Sequence, residues 1–161
     1  MKRYILVVAF GLMAVVSSAQ EIRVGGLLGY ASSDIEQAGI SLMGEFMLSD
    51  NMSISPDLIL YFPETSNGIK FVWNEFNANF NYYFVTEGKF SLYGSAGLNY
   101  TDLKLKRNGD KYFSDGELGI NLGFGFDFPV NEKVIPCLQM KYTISDYDKA
   151  FIGAGVKVRV N

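Results

Sequence analysis

A strict alternation of apolar and polar side chains over residues 75–84 constrains the fold more than any other feature of the sequence. Its two sets are Phe76, Ala78, Phe80, Tyr82 and Phe84 on one side, and Glu75, Asn77, Asn79, Asn81 and Tyr83 on the other. Successive side chains of a β-strand point to opposite faces, whereas a helix repeats every 3.6 residues. The segment therefore predicts a strand with one apolar face and one polar face.

The same period of two recurs along the rest of the chain. It predicts further strands near residues 22–30, 38–48, 53–62, 90–100, 117–128, 134–144 and 150–160. The links after the second, fourth and sixth strands are short, and the link between the fifth and sixth is the longest, which is the layout of outer-membrane barrels with an even strand number. Phe71 and Trp73 have the opposite parity to Phe76, which predicts a bulge near Asn74 and Glu75 or an extension beyond the membrane.

The start of the chain predicts a secretory signal. Lys2 and Arg3 precede an apolar run over residues 5–16, and Ser17 and Ala19 supply the small residues of a cleavage site. The run is shorter than the ~20 residues that a membrane-spanning helix needs. We therefore predict a signal peptide over residues 1–19 and a single domain over residues 20–161.

Composition decides which face of the predicted strands meets which medium. Charged residues make up 19% of the chain and aromatic residues 15%, whereas soluble domains have about 25% charged residues. The polar faces carry mainly Gly, Ser and Asn, which suit the cramped interior of a small barrel, and aromatic rings stand near strand ends, where membrane boundaries favour them. The sequence thus predicts an all-β fold: one closed, antiparallel, up-and-down transmembrane barrel of about eight strands.

The strand pattern, the aromatic strand ends and the closing segment Gly153–Val160 together carry a family resemblance. Over residues 20–161 the chain resembles the small eight-stranded outer-membrane β-barrel family of the OmpX/OmpA-barrel type. The closing segment looks like the C-terminal signal read by the barrel-assembly machinery, although it ends in Val160-Asn161 where a terminal aromatic residue is usual. The resemblance implies the outer membrane of a Gram-negative-type cell, periplasmic termini, and contact with outer-membrane lipids including lipopolysaccharide. Members include adhesion, envelope-anchoring and small-pore proteins.

Charged residues on the polar faces form the first candidate site. They are Arg23, Glu45, Asp57, Glu75, Glu117, Asp127, Lys141, Lys157 and Arg159. Buried charges are costly unless they are paired, so we predict ion pairs across the lumen, concentrated towards the periplasmic half. The alternative is a charge-lined pore, although an eight-stranded barrel barely holds its own side chains.

The second candidate site is the link between the fifth and sixth predicted strands. Asn108-Gly109 at its centre is a strong signal for a tight hairpin turn, and the tip is basic through Lys104, Lys106, Arg107 and Lys111. A protruding basic hairpin suits lipopolysaccharide phosphates or the strand edge of a partner protein. The alternative is an ordinary solvated loop.

Several function classes find no support in the sequence. The chain has no histidine, the usual general base and the commonest metal ligand, and its one cysteine, Cys137, excludes an internal disulfide and a cysteine-based zinc cluster. No cofactor motif is present, and a net charge of −3 does not suggest a nucleic-acid partner. Nothing specifies an oligomeric state.

Three hypotheses follow from these features. The first is a non-enzymatic barrel with a filled polar lumen, acting in envelope structure or surface interaction through its loops. The second is a minimal porin for ions or small solutes, and the third a periplasmic lipocalin-like carrier with an apolar interior.

Overall fold

The computed structural model describes residues 19–87, 89–107 and 110–160. Within these ranges it contains no helix that is long and apolar enough to cross a membrane. The predicted signal peptide, except for its last residue, lies outside the described residues.

Nine β-strands account for nearly all of the described chain. They are β1 (Glu21–Ala31), β2 (Gln37–Ser49), β3 (Met52–Tyr61), β4 (Glu64–Ser66), β5 (Ile69–Glu87), β6 (Phe90–Arg107), β7 (Asp110–Asp127), β8 (Val134–Ile144) and β9 (Lys149–Arg159). The eight longer strands lie at the segments of alternating side chains, and each buries its polar face because the sheet closes into a barrel. The predicted long link between the fifth and sixth of these strands is wrong, because β6 and β7 extend through it and leave only residues 108–109 between them.

The strands form one closed antiparallel sheet. Each pairs with its neighbour in sequence order, except that β3 pairs with β5, and β1 pairs with β9 from Arg23 opposite Arg159 to Ala31 opposite Phe151. The short β4 pairs only with the outer part of β5, above the stretch that β3 occupies. The predicted all-β closed barrel of eight strands is confirmed.

The barrel has two different ends. We call the end with residues 20 and 160 and the turn between β2 and β3 the turn end, and the opposite one the hairpin end. At the hairpin end β5, β6 and β7 extend beyond their neighbours, since β7 pairs with β8 only from Ile120 onwards. Arg107 pairs with Asp110, so the strands reach the predicted tight turn, while Asn108 and Gly109 themselves lie outside the described residues.

The outer wall of the barrel is an apolar belt. Phe76 is 52% exposed, Leu98 66% and Leu118 75%, whereas Asn77, on the other face of β5, is fully buried. Each long strand contributes between two and five such outward residues, and each is long enough for the ~9–11 residues that a strand needs to cross a bilayer. The rings of Phe76, Phe80, Tyr82 and Phe84 therefore face outwards, whereas Asn77, Asn79 and Asn81 face the lumen, as predicted.

Of the two alternatives predicted for Phe71 and Trp73, the bulge near Asn74 and Glu75 is wrong, and β5 instead extends beyond the stretch that pairs with β3. Ile69 to Tyr83 of β5 stay in one continuous register with β6, and the register shifts only between Tyr83 and Val85. Trp73 keeps the inward parity of the asparagines and is buried, 5% exposed. Its opposite parity to Phe76 means that the two rings lie on opposite faces of one extended strand.

Candidate functional site

The lumen contains three groups of ion pairs, and the largest lies nearest the turn end. Lys157 Nζ on β9 contacts Glu45 Oε2 on β2 at 2.9 Å and Asp127 Oδ1 on β7 at 3.0 Å. Arg23 reaches the same two carboxylates at 3.4 and 3.5 Å. Tyr83 Oη donates to Glu45 Oε1 at 2.6 Å. Five strands, β1, β2, β5, β7 and β9, are thereby joined across the centre of the barrel.

The second group lies one step further along the axis. Lys141 on β8 pairs with Asp57 on β3 at 3.3 Å, and both side chains are almost fully buried. The carboxylate of Asp57 also accepts hydrogen bonds from Asn77 (2.8 Å) and Asn79 (3.1 Å). The asparagines of β5 thus supply the donors that a buried carboxylate requires.

The third group lies towards the hairpin end. Lys149 on β9 pairs with Glu75 on β5 at 3.5 Å and donates to Thr101 Oγ1 at 2.7 Å. Tyr61 and Asn99 donate to the two oxygens of Glu75 at 2.6 and 3.1 Å. The three groups together set four carboxylates against four cations, so the charges of the lumen balance.

Apolar side chains fill the lumen beyond the third ion pair. Ile35, from the loop between β1 and β2, folds inwards and is 4% exposed, in one cluster with Trp73 and Leu103. Tyr147, from the loop between β8 and β9, packs its ring edge-on to Trp73 at 5.1 Å between ring centres. We call these four residues the plug; they close the hairpin end of the lumen.

Two predicted lumen residues lie at its margins instead. Arg159 pairs with Glu21 at 2.7 Å and donates to the backbone oxygen of Glu132, at the rim of the turn end. Glu117 has inward parity but lies at the outer mouth, where its carboxyl group meets that of Asp146 rather than a lumen cation. Parity predicts on which face of the sheet a side chain lies, but not its position along the barrel axis. Arg159 and Glu117 therefore lie on the predicted face, but outside the predicted network of lumen ion pairs.

Lys149 is the lumen residue that sequence reasoning missed. It is 1% exposed and shares the odd parity of Gly153, Lys157 and Arg159 on the closing strand. The strand was predicted to begin at Ala150, one residue too late, so this lysine fell into the preceding loop. Its parity with Lys157 was the available signal.

The predicted basic hairpin occupies the outer extension of β6. Lys104 forms an ion pair with Asp102, and Arg107 is exposed. The register sets Lys70 of β5 opposite Lys106, which in turn is opposite Lys111 of β7; the side chain of Lys111 lies outside the described residues. The extension therefore carries a row of basic positions across three strands. Like charges directly opposite each other in a sheet repel, so these positions do not stabilise the pairing of the strands.

The comparison with protein families agrees with this architecture. Residues 5–160 match the sequence model of the family described as the outer membrane protein beta-barrel domain. The chain belongs to this family. Its apolar belt is the lipid-facing surface of an outer-membrane barrel, and the protein lies in an outer membrane of the Gram-negative type. No curated protein matches the sequence.

Solved structures share the fold at low sequence identity. The attachment invasion locus protein Ail of Yersinia pestis is 17% identical, with a TM-score of 0.63 over 86% of this chain and 96% of its own. The N-terminal β-barrel domain of Pseudomonas aeruginosa OprF is 15% identical, with a TM-score of 0.69 over 88% and 98%. Neisserial surface protein A is 18% identical, with a TM-score of 0.66 over 87% and 95%. These likenesses concern the fold alone.

Proposed function

We propose that the protein is a non-enzymatic, non-conducting outer-membrane barrel that acts through its hairpin end, in envelope structure or surface interaction. The observation that carries this proposal is the filled lumen: three groups of ion pairs and the plug cross it at successive heights. A carrier of the lipocalin type would need an apolar interior cavity, and the centre of this barrel holds buried charges instead.

The lumen side chains resist the opening of a pore. Breaking a buried ion pair costs about 3–5 kcal/mol when one partner is left uncompensated, and ion passage would need several such pairs to separate. The interior of an eight-stranded barrel has little room beyond its own side chains. A minimal porin would therefore need a lumen wider than this one.

Conductance tests the choice between a sealed barrel and a minimal porin. The purified protein is inserted into a planar bilayer, with a large porin reconstituted in the same way as positive control. We expect no steady current, since ion pairs and the plug cross the lumen at four heights. A steady, ohmic current at low voltage would overturn the proposal and support the porin.

We further propose that the hairpin end is extracellular and that both termini are periplasmic. The two-residue turns β2–β3 and β5–β6 at one end and the long β5–β7 extension at the other support this orientation. Arg107→Cys should react with a membrane-impermeant maleimide on intact cells, whereas Asn131→Cys, at the turn end, should react only after permeabilisation. Native Cys137 is buried and stays unreactive. The opposite labelling pattern would reverse the orientation.

The basic hairpin supports a partner with phosphate groups, and lipopolysaccharide is the one that surrounds such a hairpin. Binding of lipopolysaccharide aggregates should weaken several-fold in the triple variant Lys104→Gln/Lys106→Gln/Arg107→Gln and fall as salt screens the charges. The matched control is Lys89→Gln/Lys133→Gln at the turn end, which should bind as the parent does. Equal binding by both variants would make the hairpin an ordinary solvated loop. We also propose β9 as the segment that engages the barrel-assembly machinery.

A further inference from the structure

A cleft at the hairpin end borders the plug, whose residues Ile35 and Trp73 line it, and none of the basic residues of β6 lines it. It opens between the loop joining β1 to β2 and the short strand β4, and has a volume of about 310 Å³. Such a volume lies at the lower end of the range for small-molecule sites. Its chemistry comes from Asp34, Glu36, Gln37, Glu64, Phe71 and Trp73.

The cleft is acidic on its walls and aromatic on its floor. Asp34, Glu36 and Glu64 are exposed and supply three carboxylates. No lysine or arginine lines the cleft, and the ion pairs found among the described residues include none of these three carboxylates. The cleft therefore keeps an excess of negative charge, although Lys70, which precedes Phe71 and lies opposite Thr65, stands nearby.

Gln37 provides a second, independent indication of a ligand. Its side chain lines the cleft, is 6% exposed, and its Oε1 has no hydrogen-bond partner within the described part of the chain. A buried amide oxygen without a donor costs free energy. The oxygen is itself enclosed, so a ligand N–H or O–H group on the floor of the cleft would satisfy it once the amide turns towards the cleft.

We propose that this cleft binds an organic cation carrying ammonium groups. The carboxylates attract its charge, the half-buried ring of Phe71 favours a cation, and an N–H donor matches Gln37 Oε1. A metal ion is a poorer fit, because no three acidic side chains in the described ranges come close enough to hold one ion. Separated carboxylates suit an extended molecule with separated charges, such as a polyamine.

The inference is independent of the proposed lipopolysaccharide contact. The cleft is formed by β4, β5 and the first loop, and it attracts cations, whereas the basic hairpin attracts anions. Loss of either binding activity would leave the other in place, so the two proposals can fail separately.

Spermidine is the probe that tests the cleft, with isothermal titration calorimetry of the full barrel in detergent micelles. We expect saturable binding that the double variant Asp34→Asn/Glu64→Gln weakens by up to about fivefold for each carboxylate removed, the upper range for exposed charge pairs. Asp50→Asn/Glu132→Gln removes two carboxylates at the turn end and is the matched control. It should bind as tightly as the parent.

The fluorescence of Trp73, the only tryptophan of the chain, gives a local readout of the same titration. The fluorescence should change when spermidine or a lysine-containing peptide is added, with the same dissociation constant that calorimetry gives. It should not change when a magnesium salt of equal ionic strength is added. Tighter binding of the peptide would identify a protein side chain as the source of the ammonium group, and tighter binding of spermidine a free polyamine. Absence of saturable heat, equal weakening by both double variants, or competition by magnesium would each overturn the proposal.

Discussion

Among individual side chains, Lys157 does most to hold the lumen together. Its ammonium group contacts the carboxylates of Glu45 and Asp127 and lies 4.8 Å from the ring centre of Tyr93. It is 2% exposed, so water cannot replace these contacts. The ion pairs nearest the turn end depend more on Lys157 than on Arg23, because Arg23 lies further from the carboxylates of Glu45 and Asp127.

We expect Lys157→Met to destabilise the barrel by about 3–5 kcal/mol, because it leaves two buried carboxylates with one cation. The double variant Lys157→Met/Glu45→Gln should recover much of the loss, since it restores the balance of charge. The measurement is the free energy of unfolding in urea, with the protein inserted in lipid vesicles.

Lys133→Met is the matched control for this change, because Lys133 is exposed at the turn end. Its effect should stay within about 0.5 kcal/mol. If Lys157→Met lowers the free energy of unfolding by no more than Lys133→Met does, the ion pairs do not stabilise the barrel.

Side-chain parity in the sequence predicts which charges face inwards, and the structure places Arg23, Glu45, Asp57 and Lys141 on the lumen face. What parity lacks is the height of a residue along the barrel axis, which depends on the register between strands. Glu117 and Arg159 have inward parity, yet lie at opposite rims. The partners within each ion pair also depend on barrel closure, which brings β9 beside β1.

An inward glycine of this barrel leaves room for an aromatic ring of the neighbouring strand. Gly125 of β7 lies opposite Tyr93 of β6, and a β-carbon on Gly125 would stand 2.3 Å from the tyrosine ring. The ring therefore occupies the space that the glycine leaves, and it packs on Tyr83 at 4.9 Å between ring centres.

Gly125→Ala should destabilise the barrel by about 1–3 kcal/mol, the usual cost of overpacking. Gly44→Ala is the control, because the nearest atom to its β-carbon would be 3.6 Å away in the ring of Phe46. The temperature at which the barrel loses its faster migration on a denaturing gel measures both variants. An equal shift for the two alanines would show that Tyr93 can move aside.

The loop between β8 and β9 is tied to the outer extension of β7. Tyr147 Oη donates to Asp115 Oδ2 at 2.6 Å, and this hydrogen bond raises the pKa of Tyr147 from 10.0 to about 12. The neutral phenol is thus favoured in the folded state. Its stabilising effect is complete below pH 10 and is lost as the pH rises through about 12.

Asp115→Asn should lower the pKa of Tyr147 towards 10, because the carboxylate that opposes ionisation is gone. The measurement is a titration of phenolate absorbance, taken as the difference between each protein and its Tyr147→Phe variant. Ionisation of Tyr147 near pH 10 with Asp115 in place would contradict the contact.

Strand order and strand faces were predictable from the sequence, but the filling of the hairpin end was not. The parity of Trp73 predicted a bulge or an extension beyond the membrane, but not that its ring packs inside the barrel. Its partners Ile35 and Tyr147 come from two loops distant in sequence, and no periodic pattern connects them. The plug is a consequence of tertiary structure.

For the barrel as a whole, the two faces of the wall have opposite chemistry. The outer face is a continuous apolar belt, and the inner face carries asparagines, balanced charges and the plug. A closed sheet satisfies the backbone hydrogen bonds that hydrocarbon cannot, and the paired lumen needs no solvent. Both features follow from the same alternation, provided that the phenylalanine side of β5 meets acyl chains.

Quenching by brominated acyl chains measures that contact. Trp73 in the parent protein should keep nearly all its fluorescence in brominated vesicles, because it lies in the plug. The variant Phe80→Trp/Trp73→Phe carries its only indole on the belt and should be strongly quenched. Strong quenching of the parent with a protected indole in the variant would mean that the wall is turned the other way.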